Sequence, residues 1–505
     1  MLHFPVDKPV LVVGDVMLDR TINCEALRIA PEAPSPVVKV KSIELAPGGA
    51  ANVALNLSEL GLRVRLIGLA GKDSEADQLF DAISRRCRHS ERMLVDIIPS
   101  EQRQTIVKTR FVSDNHQFLR VDREEKFSGA GPEIHHALHN HGLSIAGVAA
   151  VVLSDYDKGT LDCQTTMSII QEAKFLGVPV FVDPKGCLSI YQDVYLFKPN
   201  EFEYVVQRRQ DLSSATEPLP TTQATINEMA QRCKDYNIAN IVVTLGARGM
   251  LWAQKDGTGG YVPGISMPIC SVSGAGDVAM AALVASHLSN EVSPDCSVHL
   301  AVLASGLAVA RPGTSVVSWF ELNHAWGQRH HEAKILRRED GEAGESAYWE
   351  ILERYGREAR NAGKRLVFAN GCFDIMHEGH SWLLSQARRE GDIVFVGLNS
   401  DESVRQLKGK NRPINSLAHR QTFLSSLANV DAIASFKSED ELERLIRTVN
   451  PHVLVKGAEW RNKPIRGADW VCKHGGRVVF VTPVSPTHTS DLVKKLGKDD
   501  QILDL

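Results

Sequence analysis

Short runs of β-branched and aliphatic residues recur along the first part of the chain, at 10–13, 64–67, 148–153, 178–182 and 241–244. The segments between them are long enough for helices, and such alternation predicts an α/β body with a mainly parallel sheet. Residues 37–43 and 105–112 instead alternate apolar and polar side chains, as strands with one wet face do, and predict a small separate lid sheet. From 330 to 346 the chain is polar and has little to bury, which marks an expected linker. A helix is then predicted over 348–362, with Ile351, Leu352 and Tyr355 on one face. Apolar runs at 366–369, 393–398, 432–435, 453–455 and 478–481 predict a second α/β body. The expected organisation is a domain over 1–329, a linker over 330–346 and a domain over 347–505, with no repeat relating the halves.

Length agrees with this division, because 505 residues exceed what one ordinary core supports. With 57 basic against 61 acidic residues, the net charge of -4 gives no bulk attraction for nucleic acid or an anionic membrane, so any phosphate binding must be local. Nine cysteines without a C-x-x-C pair fit reduced thiols better than a disulfide framework. The apolar run 279–288 is too short to cross a bilayer, and the first strand follows almost at once without a leader pattern. A cytoplasmic protein is expected.

Two motifs carry chemistry. The run Gly371-Cys372-Phe373-Asp374-Ile375-Met376-His377-Glu378-Gly379-His380 follows an apolar strand and opens a helix. A helix start presents free N–H groups and a positive dipole end, so His377 and His380 beside Gly379 form a compact seat for polyphosphate. Histidines at this spacing also cap helices or ligate zinc, although zinc needs further ligands and none is obvious nearby. In the first body, Gly274-Ala275-Gly276-Asp277 precedes the helical run 278–288. Its small residues let the backbone approach a phosphate, and Asp277 stands where a base takes a hydroxyl proton.

Other pieces converge on the first motif. Gly48-Gly49-Ala50-Ala51-Asn52 opens a helix, Asp15 and Asp19 follow the first strand, and Lys198-Pro199-Asn200-Glu201-Phe202-Glu203 and Val243-Thr244-Leu245-Gly246 lie further on. Lys185, in Asp183-Pro184-Lys185-Gly186, is either a partner for a substrate phosphate or a solvated loop lysine.

Together these pieces resemble the ribokinase-like carbohydrate kinase family over about residues 10–317, while G-x-F-D-x-x-H-x-G-H resembles the cytidylyltransferase-like nucleotidyltransferases. The resemblance implies a ribokinase-like α/β/α sandwich with a β lid, joined to a Rossmann-like nucleotidyltransferase domain. It implies Asp277 as the base and Gly274, Ala275 and Gly276 as the anion hole. Asn200 and Glu203 would organise magnesium and phosphate, Thr244 and Gly246 would lie near the nucleotide, and Asp15, Asp19, Gly49 and Asn52 would face the sugar. In the second body it implies His377 and His380 as the catalytic pair, with Gly371, Phe373, Asp374, Gly379, Asn399, Lys408, Arg412, Lys456 and Thr489 around ATP.

The fusion resembles the bifunctional heptose 7-phosphate kinase and heptose 1-phosphate adenylyltransferase family. That implies ATP and Mg²⁺ at both sites, a phosphosugar acceptor, no nucleic-acid or membrane partner, and a homodimer through the kinase lid. The chain departs from the family pattern at Ser271, where an acid is usual, at Val302, where an asparagine is frequent, and at His488, where a serine is common. A cytidylyltransferase on another phosphorylated sugar or polyol, or a regulatory protein with one silent site, are the alternatives.

Overall fold

The computed structural model describes residues 8–114, 116–127, 131–140, 145–186, 188–208, 218–289, 292–338 and 341–482. Thr489 and His488 lie outside the described residues. The chain divides into two compact units, with the boundary between Leu322 and Asn323, inside the helix Trp319–Arg329.

The first unit is built on a nine-stranded sheet. Its spatial order is Gly259–Pro263, Gly249–Gln254, Asn240–Thr244, Leu196–Phe197, Val180–Asp183, Ala150–Ser154, Val10–Gly14, Val64–Gly71 and Met93–Ser100. Only the hairpin strands Gly249–Gln254 and Gly259–Pro263 run antiparallel to their neighbours. Val10–Gly14 is buried at every position, as a central parallel strand covered on both faces must be. From that strand the chain builds the sheet outward first on one side and later on the other, so a topological switch point falls between Val10–Gly14 and Ala150–Ser154.

The helix Ala275–Leu288 is apolar almost all round and is accordingly buried, packed against Ala50–Glu59 and Pro294–Val309. Deep seating of this helix fixes the position of its N-terminus.

The predicted lid is present and larger than the pattern indicated. Pro36–Gly49, Val16–Ile29, Ile106–Ser113 and His116–Arg123 form a four-stranded sheet in that order. Val16–Ile29 and His116–Arg123 lack strict alternation. The first stabilises itself by a long register with Pro36–Gly49, and the second is exposed throughout.

The second unit holds a six-stranded, wholly parallel sheet ordered Ile335–Leu336, Ala432–Phe436, Ile393–Asn399, Leu366–Gly371, Val453–Gly457 and Arg477–Val481. Its switch point lies between Leu366–Gly371 and Val453–Gly457.

The stretch expected to be a linker differs from the sequence expectation. Ile335 and Leu336 are buried and pair with Ile433 and Ala434, and the helix Glu342–Asn361 begins within the same stretch. Polarity misled because distant groups neutralise its charges. Lys334 is buried and donates to the Leu427 carbonyl at 3.1 Å, and Arg338 pairs with Glu345 and with Glu441.

Candidate active sites

At the first switch point the strand Val10–Gly14 delivers Asp15 and the helix Ala275–Leu288 delivers Asp277. Gly274 caps that helix at φ 79°, a left-handed conformation that favours glycine, and a Cβ there would lie 2.6 Å from Asn52 Nδ2. Asp277 is buried in the first turn, where it accepts from Asn52 Nδ2 at 2.8 Å and from the Tyr156 hydroxyl at 2.7 Å. Burial raises its carboxyl to about 7, against the opposing effect of those two hydrogen bonds. A carboxyl poised near neutrality at a helix N-terminus is suited to take a proton while the adjacent N–H groups hold an anion.

The structure gathers the other expected residues unevenly. Thr244, Gly246, Ala275 and Gly276 line one cavity of about 520 Å³, whose remaining wall is largely apolar and includes Met250, Val272 and Val302. The cavity reaches the Gly274–Gly276 turn at Ala275 and Gly276.

Asp15 does not present a free carboxylate to a sugar. It accepts from the backbone N–H groups of Tyr156, Lys158 and Thr160 at 2.9, 3.0 and 3.0 Å, and so shapes the loop that carries Tyr156. Asp19 is buried and held by Arg110 of the lid and by Thr314 Oγ1 at 2.8 Å. Gly49, at φ 59°, lets the chain pass the Asp15 carbonyl, which a Cβ would meet at 2.3 Å.

Asn200 and Glu203 form a reciprocal capping box. The Asn200 N–H donates to Glu203 Oε2 at 2.7 Å and the Glu203 N–H donates to Asn200 Oδ1 at 2.8 Å. The other Glu203 oxygen pairs with Lys185. Their oxygens therefore serve the turn and Lys185 in this structure, and do not stand as an open pair for magnesium. Ser271 likewise has a local task, its Oγ accepting from the Ser273 N–H at 3.3 Å.

In the second unit, the strand Leu366–Gly371 ends at a turn in which Phe373 adopts φ 44°, a costly conformation for a bulky residue and one confined to tightly constrained sites. The helix Glu378–Glu390 follows. His377 is its N-cap, with Nδ1 accepting from the Gly379 N–H at 3.2 Å, and the His377 and His380 rings lie 4.0 Å apart.

His380 Nδ1 is buried without a hydrogen-bond partner among the described residues. Burial, with His377 and Lys408 adding repulsion, lowers the His380 imidazole to about 4, so it is neutral at pH 7. Lys456 is lowered to about 8, again chiefly by burial, and its Nζ lies 4.8 Å from the centre of the Trp460 ring. A cavity of about 480 Å³ is lined by Gly371, Phe373, His377, Gly379, His380, Asn399, Lys408 and Lys456, all of them expected.

Two expected residues lie outside that wall. Asp374 is buried, pairs with Arg412, and accepts from the N–H groups of Ile414 and Asn415 at 2.8 and 3.0 Å. Arg412 therefore fixes a loop by way of Asp374.

Arg420 escaped the sequence reading. It is buried, and its guanidinium donates to the carbonyls of Asn415, Cys372 and Asn399 at 3.0, 2.7 and 2.8 Å and to Asp401 at 2.7 Å. One side chain thus ties three site segments together, and only its place in an otherwise ordinary helix, Leu417–Ser425, was visible in the sequence. Arg420→Met is expected to cost about 3 kcal/mol, because several buried acceptors lose their donor. A lower urea midpoint for the unfolding phase of the second unit, with the first unit's phase unmoved, is the result that checks it.

Among the described residues no helix is long and apolar enough to cross a membrane.

Each sheet has a helix start at its switch point, bearing Asp277 in the first unit and His377 with His380 in the second. Residues 7–320 match the pfkB family carbohydrate kinases and residues 368–494 match the cytidylyltransferase-like family. Phosphofructokinase-2 from Escherichia coli superposes with a TM-score of 0.51 at 19% identity, covering 63% of this chain and 98% of that one, a likeness of fold. The protein is a carbohydrate kinase and a nucleotidyltransferase in one chain. The bifunctional protein HldE of Ectopseudomonas mendocina is 38% identical over 493 residues, and that of Pseudomonas aeruginosa is 39% identical over 491, each match covering 97% of both chains. The chain belongs to the HldE family.

Proposed function

We propose that the first site transfers the γ-phosphoryl group of ATP to the anomeric hydroxyl of heptose 7-phosphate, giving the 1,7-bisphosphate. The second site joins heptose 1-phosphate to the adenylyl group of ATP, giving ADP-heptose and pyrophosphate, and another enzyme removes the phosphate at position 7 between the two steps. On this reading the protein works in the cytoplasm, in the supply of activated heptose for surface glycans.

The observation that carries the reading is the pairing of two different helix-start cradles. One stands beside a buried carboxyl near neutrality and the other beside two adjacent imidazoles tilted by 40° to each other. A base is required where a sugar hydroxyl is the nucleophile. A sugar phosphate is already ionised, and its transfer needs orientation and charge stabilisation instead.

Magnesium fits as part of the nucleotide substrate, since it binds mainly through phosphate oxygens and water and needs few protein oxygens. Its chemistry is to offset triphosphate charge. Asn200 and Glu203 shape the turn next to Lys185 and offer the ion no open oxygen pair. The lid strands carry exposed Val40, Ile43, Phe118, Leu119 and Val121, which suit a homodimer contact through this sheet.

Full-length protein is expected to release ADP with ATP and heptose 7-phosphate, and pyrophosphate with ATP and heptose 1-phosphate. Both products are separable by mass spectrometry. Preference for CTP in the second reaction would replace adenylyl by cytidylyl transfer, and ADP release only with an unphosphorylated sugar would overturn the first assignment.

A further inference from the structure

Lys198 stands out among the charged groups of the kinase unit because it is almost fully buried and yet lies at the phosphate cradle. Its side chain is 2% exposed, and Nζ is 3.0 Å from Asp183 Oδ2. A Cβ built on Gly276 would lie 3.6 Å from the same Nζ, so the ammonium adjoins the turn whose N–H groups face the anion. The strand end that carries it is fixed by the Lys198 N–H donating to the Val182 carbonyl at 2.9 Å.

An ammonium has three N–H donors, and Asp183 is its one ionic partner among the described residues. Donors remain for a second acceptor on the cradle side. The same pair acts on Asp277, Asp183 raising its carboxyl and Lys198 lowering it.

We propose that Lys198 is a catalytic residue of the kinase site, its ammonium contacting the phosphoryl group in transfer alongside the N–H groups of the Gly274–Gly276 turn. The proposal rests on the kinase reading above and names a residue that reading does not use. In the step, the bond from the acceptor oxygen to the γ-phosphorus forms as the bond from that phosphorus to the bridging oxygen breaks. The hydroxyl proton passes to Asp277, and ADP carries away the electron pair. Lys198 keeps its proton throughout and offsets charge on the non-bridging oxygens, while Asp183 holds the ammonium in place between turnovers. A mere neutraliser of Asp183 would be dispensable once Asp183 itself lost its charge, and that difference is measurable.

Full-length Lys198→Met, Lys198→Arg and the double variant Lys198→Met with Asp183→Asn are assayed for ADP release, with pyrophosphate release at the second site as the control for folding. Lys198→Met is expected to lower kcat by about 10²-fold, with the inhibition constant of ADP nearly unchanged, because ADP lacks the group that Lys198 meets. Lys198→Arg recovers part of the loss, and the double variant recovers none. Return of kcat in the double variant to within a few-fold of the parent, or an undiminished kcat in Lys198→Met, overturns the proposal. If heptose 7-phosphate proves not to be the acceptor, the slow ADP release from ATP and water at this site carries the same comparison, because the second site releases pyrophosphate and not ADP. Failure of the acceptor and failure of the Lys198 role are thus read separately.

Discussion

Replacing Asp277 by Asn is expected to lower the kinase turnover by roughly 10³-fold, the range for removal of a positioned general base, while pyrophosphate release at the second site stays unchanged. The amide keeps the shape of the side chain but cannot accept the hydroxyl proton. The amide oxygen still accepts from Asn52, and the amide NH2 can donate to the Tyr156 hydroxyl, which takes either role, so the fold should tolerate the change.

The pH dependence of the parent enzyme follows from the same environment. Asp277 must be ionised to act, and burial places its carboxyl at about 7. Kinase kcat/KM should therefore rise with pH through neutrality and level off above about pH 8, when nearly every molecule carries the carboxylate. In Asp277→Asn that limb should vanish from the residual rate. A flat profile for the parent enzyme would show that Asp277 does not titrate in the working range and that another group takes the proton.

Replacing His380 by Ala is expected to reduce adenylyl transfer by about 10²- to 10³-fold, the cost of losing one preorganised partner of a charge that develops on phosphate. Kinase activity in the same chain should not move. His380 titrates at about 4, so it meets the triphosphate as a neutral imidazole and should add no pH limb near neutrality. Lys456 behaves oppositely. It is charged below about 8 and loses its proton above, so kcat/KM for adenylyl transfer should fall as pH rises through that value. Lys456→Met should lower the rate and abolish the alkaline fall. An alkaline limb that survives in Lys456→Met would assign it to a different group, and full adenylyl activity in His380→Ala would remove the imidazole from the chemistry.

Much of the site was legible because phosphate chemistry constrains local sequence. A helix start with small residues and an adjacent base or imidazole is encoded within ten consecutive positions, and both cradles form where those positions indicate. Long-range pairing was not legible. Asp15 read as a ligand-facing carboxylate, yet it is occupied by backbone N–H groups from a loop far along the chain. Arg420 escaped the sequence reading and Lys198 entered it only as the first residue of the run Lys198-Pro199-Asn200-Glu201-Phe202-Glu203, and only their burial among carbonyls or beside Asp183 distinguishes them. The capping box formed by Asn200 and Glu203 was local enough to be read, but the implied metal role took precedence over it.

The sequence by itself determined two α/β bodies, the strands at the heart of each sheet and the two phosphate cradles, because hydrophobic period and helix-start chemistry act over a few residues. Tertiary structure alone decided which charges face a ligand and which brace a loop. It also made a buried edge strand of the polar run around Ile335 and Leu336. Burial and distant partners set the free energy of each charge, and neither is written in the neighbouring residues.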